Sequence, residues 1–370
     1  MKAVILAGGE GTRLRPLTCN HPKAMVPIVN KPLLERTLDY LKEFGVGEAV
    51  MALRHFPDPI RQYFGDGAAF GIKMSYSLEA TPLGTAGAVK NAEQHIDGEC
   101  FVFNGDFITD LDLGEMLRFH RENGAVVTIG LVPVENPSTY GVVDLDSQGK
   151  VKAFIEKPDW DSVTSNLINA GIYIIEPKVL KLIPPGEHFT FERDVFPALI
   201  SAGSPVYGFT SRAYWIDVGT PERYLQVHHD ILGGKLRRYT THEPLSEFVS
   251  VGEGSTVSPE ARLTGPLALD KRCSVEGKAQ IVGPVAVGEG CRIGDGSLIE
   301  SSVVWRDARI GKRVVLKNCL IGENVTIEDD TWITGGAVVG DNCVIGSGNR
   351  LDRGIKVWTD KTIDSGTIWF

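Results

Sequence analysis

The sequence has no apolar run approaching the roughly 20 residues that cross a bilayer, so no membrane span is expected. No basic stretch leads into a long apolar one near Met1, so no signal peptide is expected either. Its six cysteines, Cys19, Cys100, Cys273, Cys291, Cys319 and Cys343, never fall in CxxC spacing. That argues against zinc and disulfide frameworks and fits a reducing cytoplasm. Basic residues are outnumbered, 38 Lys and Arg against 47 Asp and Glu, whereas a nucleic-acid-binding domain usually carries the opposite balance. After Lys235 the only histidine is His242, so the last third lacks the general base that an acetyltransferase needs. What remains is ordinary: 42% hydrophobic and 23% charged residues, as in soluble globular proteins. At 370 residues the chain is long for one core, which predicts two domains.

What is present begins at residue 2. A short apolar strand, Lys2–Leu6, runs into Gly8-Gly9-Glu10-Gly11-Thr12-Arg13-Leu14-Arg15. Backbone N–H groups bared by such glycines can cradle phosphates, and the arginines add forked donors with fixed charge. No lysine follows Gly11 as a P-loop requires, and Leu14 stands where a dinucleotide fingerprint needs its third glycine. The loop therefore points to a polyphosphate, with a ligand-free strand-to-helix turn as the plainer alternative.

Up to about Gly234 short apolar runs alternate with helical patterns. Strands are expected at Lys2–Leu6, Glu48–Leu53, Cys100–Asn104, Val126–Val132, Gly141–Asp144, Ala153–Ile155 and Gly171–Ile175, and helices at Pro32–Phe44, Ala86–His95, Leu113–Glu122 and Glu192–Ala202. Such alternation predicts a mostly parallel sheet covered on both faces, with ligands beyond the carboxyl ends of its strands. From Val251 the pattern becomes a six-residue step, Val251 to Ile299, then a second series, Val315 to Ile363, with the break expected within Trp305–Val314. This is the hexapeptide repeat of a parallel β-helix of about six coils. Four of the cysteines stand four residues after an aliphatic of the series, so they should point inward as small apolar groups. The division is set at 1–234 and 235–370.

Several segments of the first part carry chemistry. Lys23 follows His21-Pro22, aimed at phosphate or merely solvated. Asp106 ends Asn104-Gly-Asp and Asp217 lies between Ile216 and Val218; two carboxylates that converge can hold a hard cation. Asp106 can equally cap a turn. Thr220 and Pro221 open a helix as cap and first residue. Glu156, Lys157 and Asn169 can meet sugar hydroxyls and a phosphate, or simply form turns.

In order, Leu6-Ala-Gly-Gly-Glu-Gly-Thr-Arg-Leu-Arg-Pro-Leu-Thr18, Pro22-Lys23, Asn30-Lys-Pro32, Pro82-Leu-Gly-Thr-Ala-Gly-Ala88, Asn104-Gly-Asp106, Glu156-Lys-Pro158, Asn169-Ala-Gly171 and Trp215-Ile-Asp-Val-Gly-Thr-Pro221 resemble the sugar-1-phosphate nucleotidyltransferases, the nucleotide-sugar pyrophosphorylases. The likeness covers nearly the whole chain; Ala24 departs from the proline that many relatives carry. It implies a Rossmann-like, mostly parallel mixed sheet with helices on both faces, the nucleotidyltransferase fold, followed by a left-handed parallel β-helix. It implies in-line attack of a hexose 1-phosphate on the α-phosphorus of a nucleoside triphosphate, assisted by Mg²⁺. Leu6, Gly8, Gly9, Gly11, Thr12, Gly84 and Thr85 would then hold the nucleotide, and Arg13 would stabilise charge on its phosphates. Lys23 would bridge both substrates, and Asp106 and Asp217 would hold Mg²⁺. Lys157 would grip the sugar phosphate, with Glu156, Asn169 and the Gly141 backbone on the hydroxyls.

Glu79 falls at the base-contact position that the resemblance implies. A carboxylate only accepts hydrogen bonds, and guanine alone offers two neighbouring donors on its pairing edge, so GTP is expected. The alternative is a Glu79 turned to solvent while backbone groups read the base. Mannose 1-phosphate follows from the guanine reading and the overall likeness. Glucose 1-phosphate with dTTP, UTP or ATP is the competing pair, and a non-catalytic regulatory subunit is the competing class. A β-helix leaves open end coils, and Trp358, Trp369 and Phe370 offer apolar surface there, so a homo-oligomer is expected. No nucleic-acid or membrane partner is expected.

Overall fold

The computed structural model describes residues 1–236 and 248–368. These residues form two compact units: Met1–Gly9 with Thr37–Trp215, and Glu10–Arg36 with Ile216–Phe370. The units follow compactness rather than the change of repeat pattern.

The first unit holds a nine-stranded sheet: β1 (Lys2–Leu6), β2 (Glu48–Leu53), β3 (Lys73–Leu78), β4 (Cys100–Asn104), β5 (Val127–Pro133), β6 (Gly141–Leu145), β7 (Val151–Glu156), β8 (Leu167–Ile175) and β9 (Val206–Thr210). The order is β7-β6-β8-β4-β1-β2-β3, with β5 paired to β8 and β9. At its centre β1 runs parallel to β2 and β4, with Leu6 opposite Ala52 and Asn104. These strands read as continuous apolar runs because both their faces are covered. Val4, Val102, Ile129, Tyr173, Phe191 and Phe196 belong to one buried cluster.

Every expected strand and helix of this part has a counterpart within a few residues. Among the strands of the nine-stranded sheet and the α-helices of this unit, three went unseen. The edge strand β3 has a half-polar pattern with only Met74 and Ser77 buried, and β9 carries Gly208 at its middle. The helix Pro57–Phe64 is hidden by two prolines, which its first turn tolerates because N–H groups there need no partner. The segment expected as one helix at Glu192–Ala202 is a π-turn, Phe191–Val195, leading into a short α-helix, Phe196–Ser201.

The second unit contains a left-handed parallel β-helix of three sheets with seven, seven and six strands. Leu269, Val275, Ile281, Val287, Ile293 and Ile299 form its buried column, and Cys273, Cys291, Cys319 and Cys343 are buried within it. The repeat break is not where the sequence pattern put it. The column continues Val304, Ile310, Leu316, Ile321, so two steps of five replace steps of six, and both flank Trp305–Val314 rather than falling within it. Leu316 is fully buried and Val315 only half-buried, so Val315 leaves the column. Each shortened corner holds a residue at positive φ, Ser301 at 47° and Asn318 at 50°. A search for one phase cannot separate two single-residue shortenings and merges them into one gap. Trp358 is exposed, while Trp369 and Phe370 lie outside the described residues, as does His242. Among the described residues no helix is long and apolar enough to cross a membrane.

Candidate active site

The carboxyl edge of the central strands gathers much of the signature in the first unit. Gly105 N–H donates to Leu6 O at 2.9 Å, and a Cβ at Gly105 would stand 2.9 Å from that same oxygen. Only glycine permits this approach, and it sets Asp106, half-buried, directly beyond the strand. Asn104 Oδ1 is buried and makes no hydrogen bond among the described residues. Gly8 lies against Glu79 and Arg54, since a Cβ there would stand 3.3 Å from Glu79 Oε1 and from Arg54 Cβ.

Glu79 does not turn to solvent. It is half-buried, and its Oε2 accepts from Leu83 N–H at 3.1 Å. Burial raises its pKa, opposed by that N–H and by the Arg54 charge. Gly84 and Thr85 open the helix Gly84–Asn91 just beyond.

The sugar-side residues meet at the same edge. Gly141 pairs with Glu156, and Ile168 with Val142, next to Asn169. The register of β8 shifts just after Asn169, which still pairs with Leu131, and resumes at Tyr173. Gly171 takes φ +73° there, a left-handed conformation that a side chain would strain, and a Cβ would collide with Asn104 Nδ2 at 2.7 Å. The Asn169 amide is oriented on both ends: Oδ1 accepts from Gly171 N–H (2.9 Å) and Nδ2 donates to Tyr173 Oη (2.7 Å). Tyr173 donates on to Glu192 Oε1 (3.1 Å), and Thr85 Oγ1 donates to Glu192 Oε2 (2.7 Å) while accepting from Phe191 N–H (2.9 Å). A half-buried relay through the buried Tyr173 thus joins Asn169 to Thr85. Burial and the neighbouring Glu192 charge raise the Glu156 pKa, and Lys157 opposes them. Lys157 is exposed, adopts φ 49°, and holds Nζ 3.8 Å from Glu156 Oε1.

The second unit carries the rest. Thr18 Oγ1 donates to Gly11 O at 2.8 Å, leading into a 3₁₀ turn at Thr12–Leu14. Arg13 Nη1 stands 3.7 Å from Asp217 Oδ2, and Lys23 Nζ stands 3.7 Å from Asp217 Oδ1. Lys23 is buried, so it is not the solvated surface lysine of the plainer reading. Thr220 Oγ1 accepts from Arg223 N–H, with Pro221 first in the helix Pro221–Leu232, as the cap signal predicted. Gly9 and Asp106 lie in the first unit, Gly11 and Asp217 in the second.

Arg54, Tyr173 and Glu192 were missed from sequence. Arg54 had a signal, because it directly follows β2 at the ligand edge. Glu192 had none, since its bond to Thr85 spans 107 positions, and Tyr173 reads from sequence as one more apolar residue of its strand. One cluster of three residues with metal-ligating side chains occurs among the described residues, Glu99, His120 and Glu176. It lies at the opposite sheet edge, where Ile175 pairs with Cys100, and includes neither Asp106 nor Asp217.

Comparison with known proteins agrees with the signature. The family described as Nucleotidyl transferase matches residues 2–234, and the EIF2B subunit epsilon LbH domain matches residues 246–365. Mannose-1-phosphate guanylyltransferase of Mycobacterium tuberculosis is 36% identical over 317 residues, 85% of this chain and 82% of the relative. UTP–glucose-1-phosphate uridylyltransferase of Synechocystis is 34% identical over 338 residues, 87% of each chain. The crystal structure of HddC from Yersinia pseudotuberculosis complexed with GMP-PN aligns at 33% identity and a TM-score of 0.53, over 61% of this chain and 97% of that one. With the glycine loop leaving β1, the acid following Gly105 and the hexapeptide coils of residues 248–368, the chain belongs to the nucleotidyl transferase family, is a nucleotidyltransferase, and carries a C-terminal left-handed β-helix domain.

Proposed function

We propose that the protein transfers a guanylyl group from GTP to mannose 1-phosphate, giving GDP-mannose and pyrophosphate. The observation that carries this reading is the gathering of Leu6, Gly8, Glu79, Asp106, Gly141, Glu156 and Asn169 at one sheet edge of a chain whose similar proteins include a mannose-1-phosphate guanylyltransferase. Gly8, Gly9, Gly11 and Thr12 give the triphosphate backbone donors. Arg13 stabilises charge on the α- and leaving phosphates, and Lys23 bridges the phosphates of both substrates. Lys157 takes the sugar phosphate, and Glu156, Asn169 and Gly141 take the hydroxyls. Catalysis is then positioning and charge stabilisation, with no covalent enzyme intermediate.

Asp106 and Asp217 would hold Mg²⁺. The donor set fits, because both offer hard carboxylate oxygens. The glycine at 219 keeps one face of Asp217 clear, where a Cβ would stand 2.7 Å from Oδ1. Bound there, the ion screens the repulsion between the two phosphates.

Leu83 N–H uses one of about four acceptor positions on Glu79, leaving enough for N1–H and the 2-amino group of guanine. The similar uridylyltransferase keeps a second reading in view, UTP with glucose 1-phosphate. Pyrophosphate release measured with GTP, UTP, dTTP and ATP against mannose and glucose 1-phosphates separates them. The proposal expects GTP with mannose 1-phosphate to be fastest, and Glu79→Gln to lower the GTP:UTP ratio. An unchanged ratio removes Glu79 from base reading, and preference for another pair overturns the substrate assignment. Cytoplasmic residence and self-association through the β-helix belong to this proposal; all six cysteines are free thiols, five of them buried.

A further inference from the structure

We propose that Asp341, on a corner of the β-helix, is a positioning residue for catalysis, holding the segment that presents Lys23 by way of Asn20 and His21. The inference rests on the role given above to Lys23. Residues 10–36 belong to the same compact unit as the β-helix, and one corner of successive coils touches them. That corner follows the strands Val285–Val287, Val303–Val304, Leu320–Ile321 and Val338–Val339, neighbours in one sheet. Val287 O accepts from Asn30 Nδ2 at 3.1 Å. The Trp305 ring meets His21 edge-on, centroids 5.5 Å apart. Glu323 Oε2 and Asp341 Oδ2 stand 3.5 and 3.1 Å from His21 Nε2, and Asp341 Oδ2 also accepts from Asn20 Nδ2 at 3.2 Å. Both groups facing His21 Nε2 are carboxylates, which only accept, so that nitrogen carries a proton.

Asp341 is 2% exposed, and its two oxygens do different work. Oδ1 accepts from Glu323 N–H at 2.9 Å, a bond from one coil to the next. The same bond recurs at Asp295, from Lys278 N–H, and at Asp329, from Lys312 N–H. Oδ2 is therefore the part of Asp341 that goes beyond coil architecture. The lever from this anchor to the lysine is short and stiff: Pro22, with φ −62°, separates His21 from Lys23, and Met25 N–H closes on Pro22 O at 2.8 Å. Lys23 Nζ then lies 3.7 Å from Asp217 Oδ1.

Asp341→Asn isolates the anchor. Its amide oxygen still accepts from Glu323, while its NH₂ faces the donors of Asn20 and His21. Asp329→Asn is the control for coil architecture. Hydrogen exchange over residues 16–26 and steady-state kinetics are read on both full-length variants. We expect faster exchange in Asp341→Asn but not in Asp329→Asn, a kcat/KM lower by about 10- to 100-fold, and no further loss when Asp341→Asn is added to Lys23→Ala. Unchanged exchange over 16–26, or a full multiplicative loss on top of Lys23→Ala, overturns the proposal. An active Lys23→Ala enzyme would instead overturn the role of Lys23, and the exchange result would still decide the anchor.

Discussion

Tyr173→Phe bears most closely on the relay from Asn169 to Thr85. The ring is fully buried against Phe191 and Phe196, so phenylalanine keeps the packing and removes only the hydroxyl. That hydroxyl accepts from Asn169 Nδ2 at 2.7 Å and donates to Glu192 Oε1 at 3.1 Å. Its loss leaves one donor and one carboxylate oxygen short of a partner, and stranding a buried polar group costs ~1–3 kcal/mol. An overall loss of ~2 kcal/mol in stability is expected, read as an earlier thermal transition. The Asn169 amide also loses one of its two orienting bonds. A sacrifice of ~1.4 kcal/mol in sugar binding is about tenfold in affinity, so KM for the hexose 1-phosphate should rise about tenfold. Thr85 keeps its bond to Glu192, so KM for the nucleotide should stay within about twofold. Steady-state kinetics varying each substrate in turn provides the test. Equal rises in both KM values, or none in either, would refute the reasoning.

Other consequences follow from single groups. Glu156 titrates above the ordinary carboxylate range because of burial and then the Glu192 charge; Glu192→Gln should move the acid limb of kcat/KM to lower pH, checked by a pH profile with saturating nucleotide. His228, buried in the helix Pro221–Leu232, accepts from Val29 N–H on Nδ1 and donates to Pro27 O from Nε2. Its folded pKa falls to about 3, by burial and then by the Arg36 charge. The unfolded chain binds this proton below about 6.5 and the folded chain does not, so stability drops as pH falls from about 6.5 toward 3, by up to ~1.4 kcal/mol per unit. His228→Gln should flatten that slope in denaturant titrations across the interval. In the β-helix, Leu316→Ala should cost ~2–5 kcal/mol and Val315→Ala under ~1 kcal/mol, and equal costs in thermal unfolding would restore Val315 to the column.

Legibility tracked the range of the interactions. Central strands announced themselves because burial on both faces leaves an unbroken apolar run, as in Ala3–Ile5 and Phe101–Phe103. The β-helix announced itself through its column, yet the two shortened corners escaped because each shifts the phase by one residue only. The strand β3 and the doubly prolinated helix Pro57–Phe64 were hidden by half-polar composition and by residues that punctuate loops elsewhere. The strands that bear Glu156 and Asn169 were legible, because each carries its motif on an apolar run. Their supports were not. Glu192 and Asp341 make tertiary contacts over long separations, 107 positions to Thr85 and 321 to Asn20, and no local pattern encodes such a pairing.

Phosphorus NMR of the purified protein with GTP, mannose 1-phosphate and Mg²⁺ tests the central claim most directly. A sugar diphosphate and pyrophosphate should appear in equal amounts, with both halted by EDTA. Orthophosphate with GDP, or unchanged spectra from a folded protein across the whole nucleotide and hexose 1-phosphate panel, would contradict it.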